Sequence, residues 1–254
     1  MANIRVAIIN ASTVLTDNEV APAVSALQTQ VHRDFAAAWG IDADLTFVPS
    51  TAQQLPADHW WLVILDNSDQ AGALGYHDLT TTGLPLGKVF AGTDKQFGYQ
   101  WTVTASHELL EMLGDPDVNL TVFVQSDAGS GTLYAYETCD ACEADNLGYE
   151  IDGILVSDFV YPSWFESFWP PNSAQFDYGN HIHSPFELVP GGYIGAFDVK
   201  CGTGWHQVTP PGQTFTYDMR PRLGSRREKR RTIRNHWVRS SAFEPARLMV
   251  SPGS

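Results

Sequence analysis

The chain has 254 residues, 43% of them hydrophobic and 17% charged, with 13 Phe, 9 Tyr and 8 Trp. That composition excludes a disordered chain and suits one domain or two tightly joined lobes around a sizeable core. No apolar run approaches the roughly 18 residues of a membrane-spanning helix, so no membrane role is expected. The net charge of −14 is unevenly placed. Residues 220–254 carry ten Lys/Arg against Glu228 and Glu244, whereas the rest of the chain carries five Lys/Arg against 27 Asp/Glu. A body this acidic repels phosphate and favours cations, metals or basic partners. The basic tail is suited to an acidic partner or nucleic acid, although the plainer expectation is a solvated tail resting on its own acidic body. The opening MANIRVAIIN lacks the pattern of a secretory signal, and three cysteines cannot pair completely. A reducing, cytoplasmic setting is therefore expected.

In chain order, the β-branched run Ile4–Ile9 reads as a buried strand. Asp17 to Trp39 carries helical spacing through Val20, Val24, Leu27, Val31 and Phe35, with Gly40 as its stop. Leu45–Val48 and Trp60–Leu65 read as the next strands, and Ala71–Tyr76 and Lys88–Ala91 as shorter ones. Gln100–Gly114 is the second helix, broken by Asp115-Pro116. The pattern defines a mixed α/β layer over residues 1–114. Residues 115–219, rich in Gly, Pro, Asp and aromatics, predict short strands and ordered loops leaning on that layer around a shared cleft. The basic tail 220–254 follows.

Chemistry concentrates in His107-Glu108-Leu-Leu-Glu111-Met-Leu-Gly114-Asp115-Pro-Asp117. His107 and Glu111 are one helical turn apart and project about 40° from each other, so both can grip one divalent ion. Leu109, Leu110, Met112 and Leu113 fill the opposite arc, the side expected to face a core. Glu108 is placed to deprotonate a water as general base. Gly114 lets the chain turn away, and Asp115 or Asp117 can return the third ligand. Three protein ligands and a water are the open arrangement of a catalytic zinc site.

The run HELLEMLGDPD resembles the metzincin zinc-peptidase signature HExxHxxGxxH, or its variant ending in Asp, with Glu111 in place of the second His. It is also similar to uncharacterised bacterial and phage-encoded proteins with an HExxE motif. The resemblance extends to the order of elements over residues 1–117. It implies a two-lobed metzincin-like fold, zinc held by His107, Glu111 and Asp117, and Glu108 as the base. It also implies a methionine-containing turn beneath the metal, for which Tyr217-Asp218-Met219-Arg220-Pro221 is the best-placed segment. One imidazole with two carboxylates neutralises a dication, so manganese or iron suits this set better than it suits a His-only set.

Three other features stand apart. Tyr136 to Asn146 packs Cys139, Cys142, Glu137, Asp140, Glu143 and Asp145 together, readable as a second site for calcium, as a lining of the cleft, or as a polar surface loop. His181 and His183 would share one face of a strand, and loop histidines so placed are more often structural or solvated than functional. The aromatic run Tyr161, Trp164, Phe165, Phe168, Trp169, Phe176 and Tyr178 can wall a cleft or simply form a core. The expected function is a metal-dependent hydrolase, a zinc peptidase acting on basic or neutral peptide or protein substrates. The alternative is a catalytically weak or inactive scaffold that binds a metal or partner and is anchored by its tail.

Overall fold

The structure is a computed structural model and describes residues 4–70, 73–201 and 204–211. The segment Tyr217–Pro221 and the basic tail lie outside the described residues. The chain is mixed α/β. Strand β1 (Ile4–Asn10) forms from a largely apolar, β-branched run and lies inside its sheet, buried along most of its length. Helix α1 (Asp17–Thr29) opens on a reciprocal cap, in which the Thr16 backbone N–H and hydroxyl both donate to Glu19 Oε2 at 2.7 Å.

The expected single helix to Trp39 is continuous but not uniform. After Thr29 it widens into a π-helical stretch, Gln30–Phe35, before closing as α2 (Ala36–Trp39) on Gly40, whose φ of 68° provides the left-handed stop. The widened stretch carries two buried polar side chains with tertiary partners. Gln30 Nε2 donates to the Ser157 carbonyl at 2.9 Å, and Gln30 Oε1 accepts from Ser106 at 2.6 Å. Asp34 accepts from Arg33 and from the Tyr149 hydroxyl.

Strands β2 (Ala43–Val48), β3 (Trp60–Leu65), β4 (Gly75–Leu79) and β5 (Pro85–Phe90) complete a five-stranded sheet in the order β2-β1-β3-β5-β4. The pairs within β2-β1-β3-β5 are parallel, and β4 runs antiparallel to β5 at the edge. The sequence placed these last two strands out of position. The first is displaced toward the C-terminus to Gly75–Leu79, and the second begins at Pro85, so that Ala91 starts a helix, α3 (Ala91–Phe97), that periodicity did not reveal.

Helix α4 (Trp101–Gly114) lies against β4 and β5 and is buried from Thr102 onward, on its polar face as well as its apolar one. Such close approach needs a small residue on the strand. A Cβ on Gly75 would come within 2.7 Å of Glu108 Cγ and 2.8 Å of Thr104 Cγ2. The α1 and α4 side of the sheet forms the main core, with Ile8, Leu62, Val89, Leu109 and Leu113. Ala7, Ile9, Leu86 and Phe90 face the other side, as the strand period of two requires.

Beyond α4 the chain forms short strands and loops. An antiparallel sheet orders β11 (His206–Val208), β10 (Ile194–Asp198), β7 (Ser130–Ala135) and β6 (Thr121–Asp127). A hairpin of β8 (Tyr149–Ile151) and β9 (Ile154–Val156) turns on Asp152-Gly153, both at positive φ. Val156 and Phe159 enter the main core, tying this half to α1 and α4. Of the aromatic run, Trp164, Phe165 and Phe176 are buried in a core of their own, whereas Phe168 is exposed. No helix among the described residues is long and apolar enough to cross a membrane.

Candidate metal centre

The centre is built on α4. His107 and Glu111, one turn apart, meet with Nε2 3.2 Å from Glu111 Oε2. The same Nε2 lies 3.3 Å from Asp140 Oδ1. Asp140 opens a 3₁₀ turn, Asp140–Cys142, that the chain lays against the helix after β7. This turn is anchored by the Cys139 backbone N–H, which donates to Glu111 Oε1 at 3.2 Å. Single ligand atoms of His107, Glu111 and Cys139 lie within 4.8 Å of one another, as do those of His107, Asp140 and Glu143.

A second imidazole enters from the sheet edge. His77 on β4 places Nδ1 3.6 Å from both Glu108 Oε2 and Glu111 Oε2, and Nε2 3.6 Å from Glu137 Oε2. Ligand atoms of His77, Glu111 and Glu137 again fall within 4.8 Å. Glu111 is thus common to both imidazoles. His77, Glu108, Glu111, Glu137 and Asp140 are all buried.

The expected third ligands do not join this group. Both oxygens of Asp115 accept backbone N–H bonds, from Asn119 and from Leu120 at 3.0 Å each. Asp115 is spent on ending the helix and starting the next loop, where Val118 takes φ 53°. Asp117 is exposed. In their place the chain brings Asp140, Glu143 and Cys139. The acidic run that suggested a separate calcium site directs Glu137 to His77 and Asp140 and Glu143 to His107, and its two thiols are buried rather than exposed.

Burial of so many acids distorts their titration. Although burial alone would lower it, His107 is raised well above the usual imidazole range by Glu111 and Asp140. Glu111 is held low against the desolvation of burial, chiefly by His107 and then His77. Burial first, then the Glu111 charge, pushes Asp140 up to about 6, and burial pushes Glu143 up to about 8. The Cys139 thiol is driven up by the same burial.

The described fixed cations sit elsewhere. Arg5 pairs with Asp58, Arg33 with Asp34, Lys88 with Asp69 and Lys95 with Glu19, while Lys200 is exposed at the end of β10. Compensation of the buried carboxylates therefore falls to the two imidazoles, to retained protons, or to a bound dication. The grouped imidazole, carboxylate and thiol atoms could hold a metal ion.

Sequence reasoning missed His77, because the strand was placed to end at Tyr76. Tyr76 faces the far side of the sheet, so residue 77 faces the helix, and a correct strand boundary would have revealed it. No family model, curated protein or solved structure matches this chain significantly.

Proposed function

We propose that the chain is a metal-dependent hydrolase, a zinc peptidase of the metzincin-like, two-lobed kind with an HExxE helix. The observation that carries this reading is His107 Nε2 standing 3.2 Å from Glu111 and 3.3 Å from Asp140 in a buried site. His107, Glu111 and Asp140 are the three protein ligands, with Asp140 in the role the sequence had assigned to Asp117 or Asp115. These residues would hold a dication, which would supply Lewis acidity toward a carbonyl and lower the pKa of a water. Glu108, the next residue on the helix and 3.6 Å from His77 Nδ1, would serve as the base that accepts a proton from a water and returns it to the leaving amine.

Strand β4 supports a peptide as the substrate. It is the edge of the five-stranded sheet, it lies directly over Glu108, and an extended chain can add to such an edge through backbone hydrogen bonds. The acidic body favours basic or neutral peptides.

Burial favours a second reading, a scaffold that binds a metal without turnover. His77, Glu108 and Glu111 are each no more than 6% exposed, which restricts access of a bulky substrate. Elemental analysis of the purified protein beside His107→Ala and Glu111→Ala, with a peptide-library digest of the parent and Glu108→Gln, separates the two. Hydrolysis requiring His107, Glu111 and Glu108 supports the peptidase. Metal lost in both ligand variants, with no digestion by the parent, supports the scaffold. Equal metal content in all variants removes the centre altogether.

A further inference from the structure

The second half of the chain contains another pair of buried carboxylates, remote in sequence from α4. Asp158 follows β9, and Asp177 is joined to the same segment by a single antiparallel bridge to Val160. Both are fully buried. Most of their hydrogen-bonding capacity is assigned. Asp158 Oδ1 accepts the Phe159 N–H at 2.7 Å and the Gly179 N–H at 3.0 Å. Asp177 accepts the His181 N–H at 2.8 Å on one oxygen and the Ile182 N–H at 2.9 Å on the other. Asp158 Oδ2 is buried and receives no donor.

That oxygen lies against Gly179. A Cβ built on Gly179 would stand 2.8 Å from Asp158 Oδ2 and 2.6 Å from His181 Nε2. With no side chain on Gly179, a carboxylate oxygen and an imidazole nitrogen converge on its α-carbon more closely than any Cβ would allow. Single ligand atoms of Asp158, Asp177 and His181 lie within 4.8 Å of one another, and His181 is exposed, giving an ion a route in. We propose that Asp158, Asp177 and His181 bind a second divalent transition-metal ion, distinct from the His107 centre. The ion clips the Tyr178–His183 loop to the chain leaving β9.

The charge balance agrees. Two buried carboxylates facing each other cannot both remain ionised without a cation or a proton between them. The imidazole argues for zinc or manganese rather than calcium, and two carboxylates cancel the ion's charge. The paired site needs no part of α4, so it stands whether or not the His107 centre hydrolyses anything.

The test uses the full chain stripped with chelator, dialysed against zinc and then assayed for bound equivalents. The variants are His181→Ala, Gly179→Ala, Asp158→Asn and His107→Ala. Gly179 is not at positive φ, so its alanine variant pushes the Asp158 and His181 side chains apart without straining the backbone or removing a ligand group. The expected result is that His181→Ala and Gly179→Ala each bind one equivalent less than the parent, while His107→Ala retains the equivalent that they lose. Uptake unchanged in His181→Ala and Gly179→Ala would overturn the proposal and leave a carboxyl pair sharing a proton. The loss of all uptake in His107→Ala would overturn it equally. Should Asp158→Asn fail to fold, the exposed His181 still decides the matter.

Discussion

His107 Nε2 lies 3.3 Å from Asp140 Oδ1, so the motif helix and the turn after β7 meet at a single imidazole. Asp140→Asn removes the anionic ligand and keeps the shape. Changes behind metal ligands commonly cost 10- to 100-fold in affinity, and a lost ligand should weaken binding by at least about 100-fold. Asp117→Asn, at an exposed position, should leave affinity unchanged. Competition with a fluorescent zinc chelator measures both. The reverse ranking would restore Asp117 as the ligand.

The division between what could be read in advance and what could not follows the range of the interactions. Ile4–Ile9 and Trp60–Leu65 announce themselves by continuous apolar content, and HELLEMLGDPD by its local spacing. The other half of the centre is tertiary. His77 depends on the strand period at the sheet edge, and Glu137, Asp140 and Glu143 depend on a turn folded back onto α4. The Asp115 carboxylate answers to two backbone N–H groups only a few residues downstream, a local demand that its spacing from His107 does not announce. Short α3 escaped because its buried residues, Ala91, Thr93 and Asp94, form no apolar stripe.

Gln30 joins three elements around the motif helix. Its side chain accepts from Ser106, the residue before His107, and donates to the Ser157 carbonyl and the Tyr149 hydroxyl. Gln30→Leu keeps the approximate volume but leaves those groups unsatisfied in a buried place. A loss of about 1–3 kcal/mol is expected, read by urea unfolding of the metal-free protein. A change below about 0.5 kcal/mol, the range of ordinary surface substitutions, would mean that Gln30 is dispensable.

Lys88 is a buried cation on the sheet face away from α4. Its ammonium is 2.6 Å from Asp69 and 2.5 Å from the Tyr76 hydroxyl. Burial pulls its pKa down, and Asp69 opposes that pull. Lys88→Met strands the Asp69 carboxylate, and breaking a buried pair in this way costs about 3–5 kcal/mol. Lys88→Met combined with Asp69→Asn should recover much of that loss. A double-mutant cycle by chemical denaturation supplies the coupling, and strictly additive effects would show that the two charges do not depend on each other.

Asp94 carries a pH dependence that can be isolated. Its carboxyl accepts from the Thr104 hydroxyl at 2.9 Å, yet burial, reinforced by Asp145, raises its pKa from 3.8 to about 7. Below about pH 4 both the folded and unfolded chains hold the proton, so Asp94 adds no pH-dependent penalty. Between about pH 4 and 7 the folded chain keeps a proton that the unfolded chain has released, so stability falls as pH rises. Above pH 7 the penalty is complete, on the order of 4 kcal/mol for a shift of about three units. Asp94→Asn retains an acceptor for Thr104 and has no charge to bury. Its stability relative to the parent should therefore climb from pH 4 to pH 7 and level off beyond. Paired urea titrations at pH 5 and pH 8 are sufficient, since a difference between the two proteins that does not change with pH would show that Asp94 is ionised in the folded chain throughout.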